Sequence, residues 1–278
     1  MEIIVQPPVR FSRRHLLLGS ASIIGASLAP GISVAAPALT AFAPSGGGGF
    51  DHSAFESVLS GAVVPDAEGY NRVNYSAFKG KTEALKAALE QMQRAIPSSY
   101  SKAEAKAFWI NLYNAKTLDV VLDRYPVASI KKINLGGGGL FGSGPWSAKI
   151  LSVEGLELSL DDIEHRILRP LFKDPMVHYA LNCASYSCPN LSATAFTAKN
   201  SSALMQGSAS AYVNHPRGVS VDGNAITASK VYSWYGADFG GKSKLKAHWT
   251  KFAAPEKAAA IEAAQTVSFS YDWRLNDV

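Results

Sequence analysis

The sequence predicts an α+β fold, a single domain in which helices flank a mixed or antiparallel sheet. Three observations carry this. Three segments hold helical patterning with their own start and stop signals. Several short β-type runs sit on either side of tight-turn dipeptides. The two kinds of element do not alternate regularly along the chain.

The first expected helix, Lys81 to Ala95, is rich in Ala, Leu, Glu and Lys and is ended by Pro97. The second, Ser101 to Tyr125, opens on a capping box, Ser101 with Glu104, and stops at Pro126. The third, Ser159 to Arg169, has Ser159 as N-cap, Asp161 and Asp162 in its first turn, and Pro170 as its stop. Weaker patterns cover Ser201 to Asn214 and Pro255 to Ala264. Short strands are expected at Ala148 to Val153 and Gly155 to Leu158 around Glu154-Gly155, and at Val219 to Val221 and Ala225 to Thr227 around Asp222-Gly223. Two further strands are expected, Met176 to Asn182 and Thr266 to Tyr271.

Ahead of these elements lies an address. Arg13-Arg14 precedes an uncharged stretch from Leu16 to Phe50, with an apolar core over Leu16 to Leu28 that is too short to span a bilayer comfortably. Residues 1–35 therefore read as a twin-arginine signal peptide, cleaved before Ala36. The mature protein would be periplasmic or secreted, with no stable membrane span, and would cross the membrane already folded. Residues 36–49, Ala/Pro/Gly-rich and ending in four glycines, read as a flexible linker, and residues 50–278 as the globular domain.

Removing Arg10, Arg13, Arg14 and Glu2 from 27 basic and 22 acidic residues leaves 24 and 21, a net charge of +3. That is too mild, and too unclustered, for a nucleic-acid partner. Six glycines between Leu135 and Pro145 lack the Lys-Ser/Thr ending of a phosphate loop and read as a lid or hairpin tip. No cofactor is expected.

Five ordered motifs carry a family resemblance. They are Phe108 to Ala115 (FWINLYNA), Ser159 to His165 (SLDDIEH), His178 to Pro189 (HYALNCASYSCP), Ser229 to Tyr235 with Asp238 and Phe239, and Tyr271 to Asn276 (YDWRLN). In this order they resemble domain-of-unknown-function family 547, over roughly Phe55 to Asp277. That resemblance brings no assigned reaction. The motifs also resemble, as analogy only, thiol hydrolases of the papain and transglutaminase kind.

Polar groups on apolar helix faces mark the candidate site. At 100° per residue Asn111 sits in the stripe formed by Phe108, Leu112, Ala115, Leu118 and Leu122, with Asn114 at its edge. Either amide pins a neighbouring backbone, or one donates to a substrate oxyanion. Glu164 falls between Ile167 and Leu168 on the inner face of the third helix, and His165 lies at its boundary. Either Glu164 is held in a structural ion pair with an arginine such as Arg169 or Arg274, or Glu164 and His165 are an acid/base pair entering a cleft.

Cys183 and Cys188 allow three readings. Cys183 is a nucleophile activated by His165, with Ser187 or backbone amides at the oxyanion. Alternatively the pair closes a disulfide after export, or it binds a metal with His165. His178, five residues before Cys183 on a straight strand, would lie about 16 Å from it and could not act as its base.

Glu164 or Asp272 is the candidate orienter of His165, and Trp234 and Tyr235 would line the pocket. The sequence thus supports a thiol-dependent hydrolase or acyl-transferase acting on a small molecule, peptide or sugar. Its alternative is a non-catalytic periplasmic binding domain with a Cys183–Cys188 disulfide.

Overall fold

Three small sheets, rather than one, hold the strands among the described residues. A computed structural model describes residues 38–136 and 144–278. The twin-arginine segment and most of the glycine run lie outside the described residues. Ala36–Val278 clusters as one compact unit, and the description below concerns that unit alone.

Helix α1 (Ser53–Leu59) leads to an antiparallel pair, β1 (Val63–Pro65) and β2 (Asn71–Val73), then to α2 (Tyr75–Phe78) and α3 (Thr82–Gln93). Helix α4 (Lys102–Leu122) starts at the expected capping box, where the Ser101 side chain accepts from the Glu104 amide at 3.2 Å. It is buried on nearly every face from Ala105 onward, not along one stripe. A helix that is apolar all round belongs at the centre of a core, and α4 is that centre. Next comes a second antiparallel pair, β3 (Leu151–Val153) with β4 (Leu156–Leu158).

The third expected helix differs from its sequence pattern. It has π-helical geometry over Asp162–Phe172, runs through Pro170, and ends at Lys173 with φ +49°. Proline removes an amide donor near this turn. The Leu39 amide, from the preceding segment, donates instead to the Arg166 carbonyl at 2.9 Å. The expected strand at Met176 to Asn182 is also replaced. Pro175–Tyr179 forms a 3-10 turn, begun by the Asp174 side chain accepting from the Met176 amide at 3.0 Å. Asp followed by Pro is a helix-start signal, and here it outweighs the β-branched and aromatic content.

Helix α5 (Ser201–Asn214) has the expected bounds. Strands β5 (Val219–Asp222) and β6 (Ala225–Ser229) form the expected hairpin. After α6 (Val231–Trp234), α7 (Leu245–Thr250) and α8 (Pro255–Ala263), strand β7 (Thr266–Ser270) pairs parallel to β6, so this sheet is mixed. The fold is α+β, as the sequence implied. No helix among the described residues is long and apolar enough to cross a membrane.

Two apolar clusters result. One surrounds α4 and takes in Phe55, Trp109, Leu151 and Ile167. The other gathers Tyr179, Tyr212, Tyr232, Trp249 and Ile261 between α5, α7 and the mixed sheet. The expected linker is not a free tether where it is described. Phe42 is fully buried, and Ser45, Gly46 and Gly48 donate backbone hydrogen bonds to Ser98, Tyr100 and Ser99.

Gly218 joins α5 to β5 against the Tyr212 carbonyl. A Cβ at 218 would lie 1.9 Å from that oxygen, so Gly218→Ala should cost about 1–3 kcal/mol. Urea unfolding measures this, and an unchanged midpoint would show that the junction can yield.

Candidate active site

The site is built where the 3-10 turn Pro175–Tyr179 delivers the chain to its two cysteines. Asn114, on α4, fixes that delivery. Its amide donates to the Ala180 carbonyl at 2.8 Å, and its oxygen accepts from the Asn182 amide at 2.9 Å. Asn182 in turn donates to the Pro189 carbonyl at 2.7 Å, and Tyr212 donates to the Ser187 carbonyl at 2.6 Å. Immediately after Cys183, Ala184 takes φ +60°, a left-handed conformation that costs a residue with a Cβ about 1–2 kcal/mol. The loop holding the thiols is therefore tied at several points and strained next to the sulfur.

Both thiols are free, and their sulfurs lie 3.0 Å apart. Cys183 is half-buried, and its sulfur is 3.2 Å from Ser185 Oγ and 3.1 Å from Tyr271 Oη. Those two hydroxyls are 2.7 Å from each other. Burial opposes a charge on Cys183, yet the Cys188 thiol and the Ser185 and Tyr271 hydroxyls outweigh it and bring its pKa below the ordinary thiol value. Cys188 is driven the other way, first by burial and then by the neighbouring Cys183 sulfur.

Cys183 and Cys188 line a cavity of about 30 Å³ with Tyr113, Glu164, His178 and Tyr235. Trp234, Tyr271, Leu181, Pro189 and Val231 complete its wall. His178 is thus in the cavity, and the straight strand that would have kept it about 16 Å from Cys183 does not exist.

A chain of charges runs from the surface to this cavity. Arg169 grips Asp238 through two bonds, Nε to Oδ2 at 2.6 Å and Nη2 to Oδ1 at 2.9 Å. Asp238 Oδ2 accepts from His178 Nε2 at 2.8 Å. Across the ring, His178 Nδ1 faces Glu164 Oε1 at 3.6 Å. Tyr235 stacks on the imidazole, centroids 4.1 Å apart, and its hydroxyl bonds Glu164. Burial disfavours charge on His178, but the Asp238 and Glu164 carboxylates prevail and raise its pKa. For Glu164 and for Asp238 burial likewise opposes the charge, and the His178 partnership, with Arg169 added for Asp238, lowers both.

The other sequence candidates separate from this cluster. His165 is not among the cavity-lining residues. Its Nδ1 accepts from Arg169 Nη1 at 3.2 Å, and its Nε2 lies 3.8 Å from Asp161. Arg169, a suggested partner of Glu164, takes Asp238 instead. Asn111 donates to the Phe196 carbonyl at 2.7 Å and to His52 Nδ1 at 2.9 Å, and accepts from the Phe196 amide at 2.9 Å. It pins backbone and lies outside the cavity lining.

Asp272 is engaged with Arg274, Nε to Oδ2 at 2.8 Å, and does not orient His165. Its neighbour Tyr271 reaches the thiol instead. Ser187 accepts from the Asp272 amide at 2.9 Å, a structural contact. Trp234 and Tyr235 line the cavity, and Trp234 packs against Tyr271 at 4.8 Å. Among the described residues no group of three or more His, Cys, Asp or Glu side chains is arranged to hold a metal ion.

A helix-built core carrying a paired-thiol cavity with a buried His–carboxylate chain defines the class of site. Comparison then places part of the chain: residues 97–213 match the model of the family described as "Protein of unknown function, DUF547". This segment spans α4, the π-helix and the thiol loop, and is shorter than the extent suggested by the five motifs. No curated protein matches. No solved structure matches, so the analogy to papain- and transglutaminase-like hydrolases rests on the motifs alone.

Two outcomes follow from the charges. The raised His178 pKa stabilises the fold fully below about pH 6.5 and is lost as pH rises through its raised value, while the lowered Asp238 and Glu164 values stabilise above about pH 4 and are lost as pH falls. Wild type should therefore exceed Asp238→Asn most between about pH 4.5 and 6.5, by on the order of 3 kcal/mol. Urea melts across pH test this; a difference independent of pH would remove the linkage.

The second outcome concerns the sulfur. Alkylation of Cys183 by iodoacetamide should reach half its maximal rate below the pH of an ordinary thiol, and Tyr271→Phe should move that midpoint upward. An ordinary midpoint, unmoved by the substitution, would show that the hydroxyls do not stabilise a thiolate.

Proposed function

We propose that this protein is a thiol-dependent hydrolase or acyl-transferase, exported by a twin-arginine address, with Cys183 as its nucleophile. The observation that carries the reading is the shared cavity: a half-buried sulfur with a lowered pKa, an imidazole held by a carboxylate on its far side, and aromatic walls.

His178, rather than His165, takes the acid/base role. Asp238 holds Nε2 and Arg169 holds Asp238, which leaves Nδ1 facing Glu164 and the cavity. The thiolate attacks the acyl carbon, and the carbonyl oxygen becomes an oxyanion. The Cys183 amide is already committed to Cys188 Sγ at 2.9 Å. The Ser185 and Tyr271 hydroxyls, each within about 3 Å of the sulfur, are left as the oxyanion donors. The leaving group takes its proton from His178, and water or an acceptor nucleophile then cleaves the thioester. Tyr235 is 5% exposed and stacked on His178, so the rest of a small-molecule, peptide or sugar substrate would rest on Trp234 at the rim.

The test uses reduced mature protein and p-nitrophenyl acetate. An acetyl group should appear on Cys183 by mass spectrometry, with a burst of nitrophenolate. Cys183→Ser should abolish both, His178→Ala should slow turnover by about 10²–10⁴-fold, and Cys188→Ser should keep the burst. Equal loss in the two cysteine variants, or no labelling of wild type, would defeat the reading.

A further inference from the structure

We propose that Cys183 and Cys188 form a two-electron dithiol–disulfide centre that reduces hydrogen peroxide. The inference goes beyond acyl transfer and does not need it: both require a reactive sulfur at 183, but only this one requires the sulfur at 188.

Three observations point to it. The first is asymmetry. Both sulfurs line the cavity, but Cys183 is half-buried whereas Cys188 is only 4% exposed. The attacking thiol of such a couple must be accessible and ionised, and the resolving thiol must be protected until it is needed. The opposite pKa directions of the two sulfurs agree with those roles.

The second is placement. The sulfurs are already 3.0 Å apart, and the loop between them is held through Asn182, Ser187 and Cys188, whose carbonyl accepts from Arg217 Nε at 3.2 Å. A bridge closes by a side-chain adjustment, with no segment to unfold. The third is size. A cavity of about 30 Å³ holds one or two water molecules. Hydrogen peroxide is two oxygens long and fits inside it whole, whereas the branch of an alkyl hydroperoxide has to lie outside and crowd the entrance.

The chemistry balances in two steps. The Cys183 thiolate attacks one peroxide oxygen; the S–O bond forms, the O–O bond breaks, and the departing hydroxide takes a proton and leaves as water. Sulfur is oxidised by two electrons to a sulfenic acid, and the peroxide oxygens are reduced. The Ser185 and Tyr271 hydroxyls stand beside the reacting sulfur to pass that proton from solvent. Cys188 then attacks the Cys183 sulfur; the S–S bond forms, the S–O bond breaks, and the Cys188 proton departs with the hydroxide as a second water. An external dithiol returns the pair to its reduced state by thiol–disulfide exchange and is itself oxidised to a disulfide.

The experiment treats reduced mature protein with one equivalent of hydrogen peroxide and follows thiol count, intact mass and peroxide consumption. The expected result is loss of both thiols per peroxide, a mass lower by two hydrogens, and a rate on the order of a hundredfold above free cysteine. Cys188→Ser should stop at a sulfenic acid trapped by dimedone, and Cys183→Ser should react no faster than free cysteine.

A measurement on wild type alone guards against variants that do not fold: tert-butyl hydroperoxide should react at least about tenfold more slowly than hydrogen peroxide. Retention of both thiols, oxidation at the rate of free cysteine, or equal rates with the two oxidants would overturn the proposal. Peroxide reduction without acetyl labelling of Cys183 would leave this inference standing and remove acyl transfer, and labelling without bridge formation would do the reverse.

Discussion

Asp238 is the group on which the site's arrangement depends. It lies just beyond α6, and it binds side chains from two other elements: Arg169 from the π-helix and His178 from the 3-10 turn. Its carboxylate sets the orientation of the imidazole, and the imidazole in turn stabilises the buried Glu164. Loss of Asp238 would leave the Arg169 and His178 cations next to each other with one fewer anion, which is the costly way to break a buried ion network. Buried networks of this kind are also an inefficient source of stability, because apolar residues of similar volume often do as well.

The thiol loop is organised differently, by neutral hydrogen bonds. Asn114 replaces with side-chain bonds the backbone pairing that a strand would have supplied at Ala180 and Asn182. This lets the chain turn out of regular structure while its buried amides and carbonyls stay satisfied. Rigidity there is what permits the lowered Cys183 pKa. Donors that are already in position pay no reorganisation when the sulfur ionises, and hydrogen bonds to a charged acceptor are worth about twice neutral ones.

How far the sequence revealed this can be traced residue by residue. The caps at Ser101 and Ser159 and the Asp222-Gly223 turn acted locally, so the α4 start, the burial of Glu164 and the β5–β6 hairpin were legible. The role of His178 was not, because alternation of Val177, Tyr179 and Leu181 suggested a strand, and a strand put it out of reach of Cys183. The local signal for the turn is the Asp174-Pro175 pair.

Asp272 is the residue whose charge suggests an orienter, yet it is its neighbour Tyr271 that reaches the sulfur while Asp272 turns to Arg274. Asp238 was visible among its aromatics, but its pairing with Arg169 and His178 joins residues 60 to 69 positions apart. No local pattern encodes that.

The two cysteines show why composition alone leaves the chemistry open. They sit five positions apart on one loop, and burial pushes both sulfurs toward the neutral form. Their states diverge because of the neighbours each one meets. Cys183 has three side-chain hydrogen-bond partners, Ser185, Tyr271 and Cys188, which together lower its pKa, and it is the more exposed of the two. Cys188 receives the Cys183 amide but lies against the sulfur that ionises first, and two negative sulfurs 3.0 Å apart would repel strongly in a medium this poorly solvated. Ionisation of one therefore suppresses ionisation of the other. The pair is one sulfur set to ionise beside a second that stays protonated.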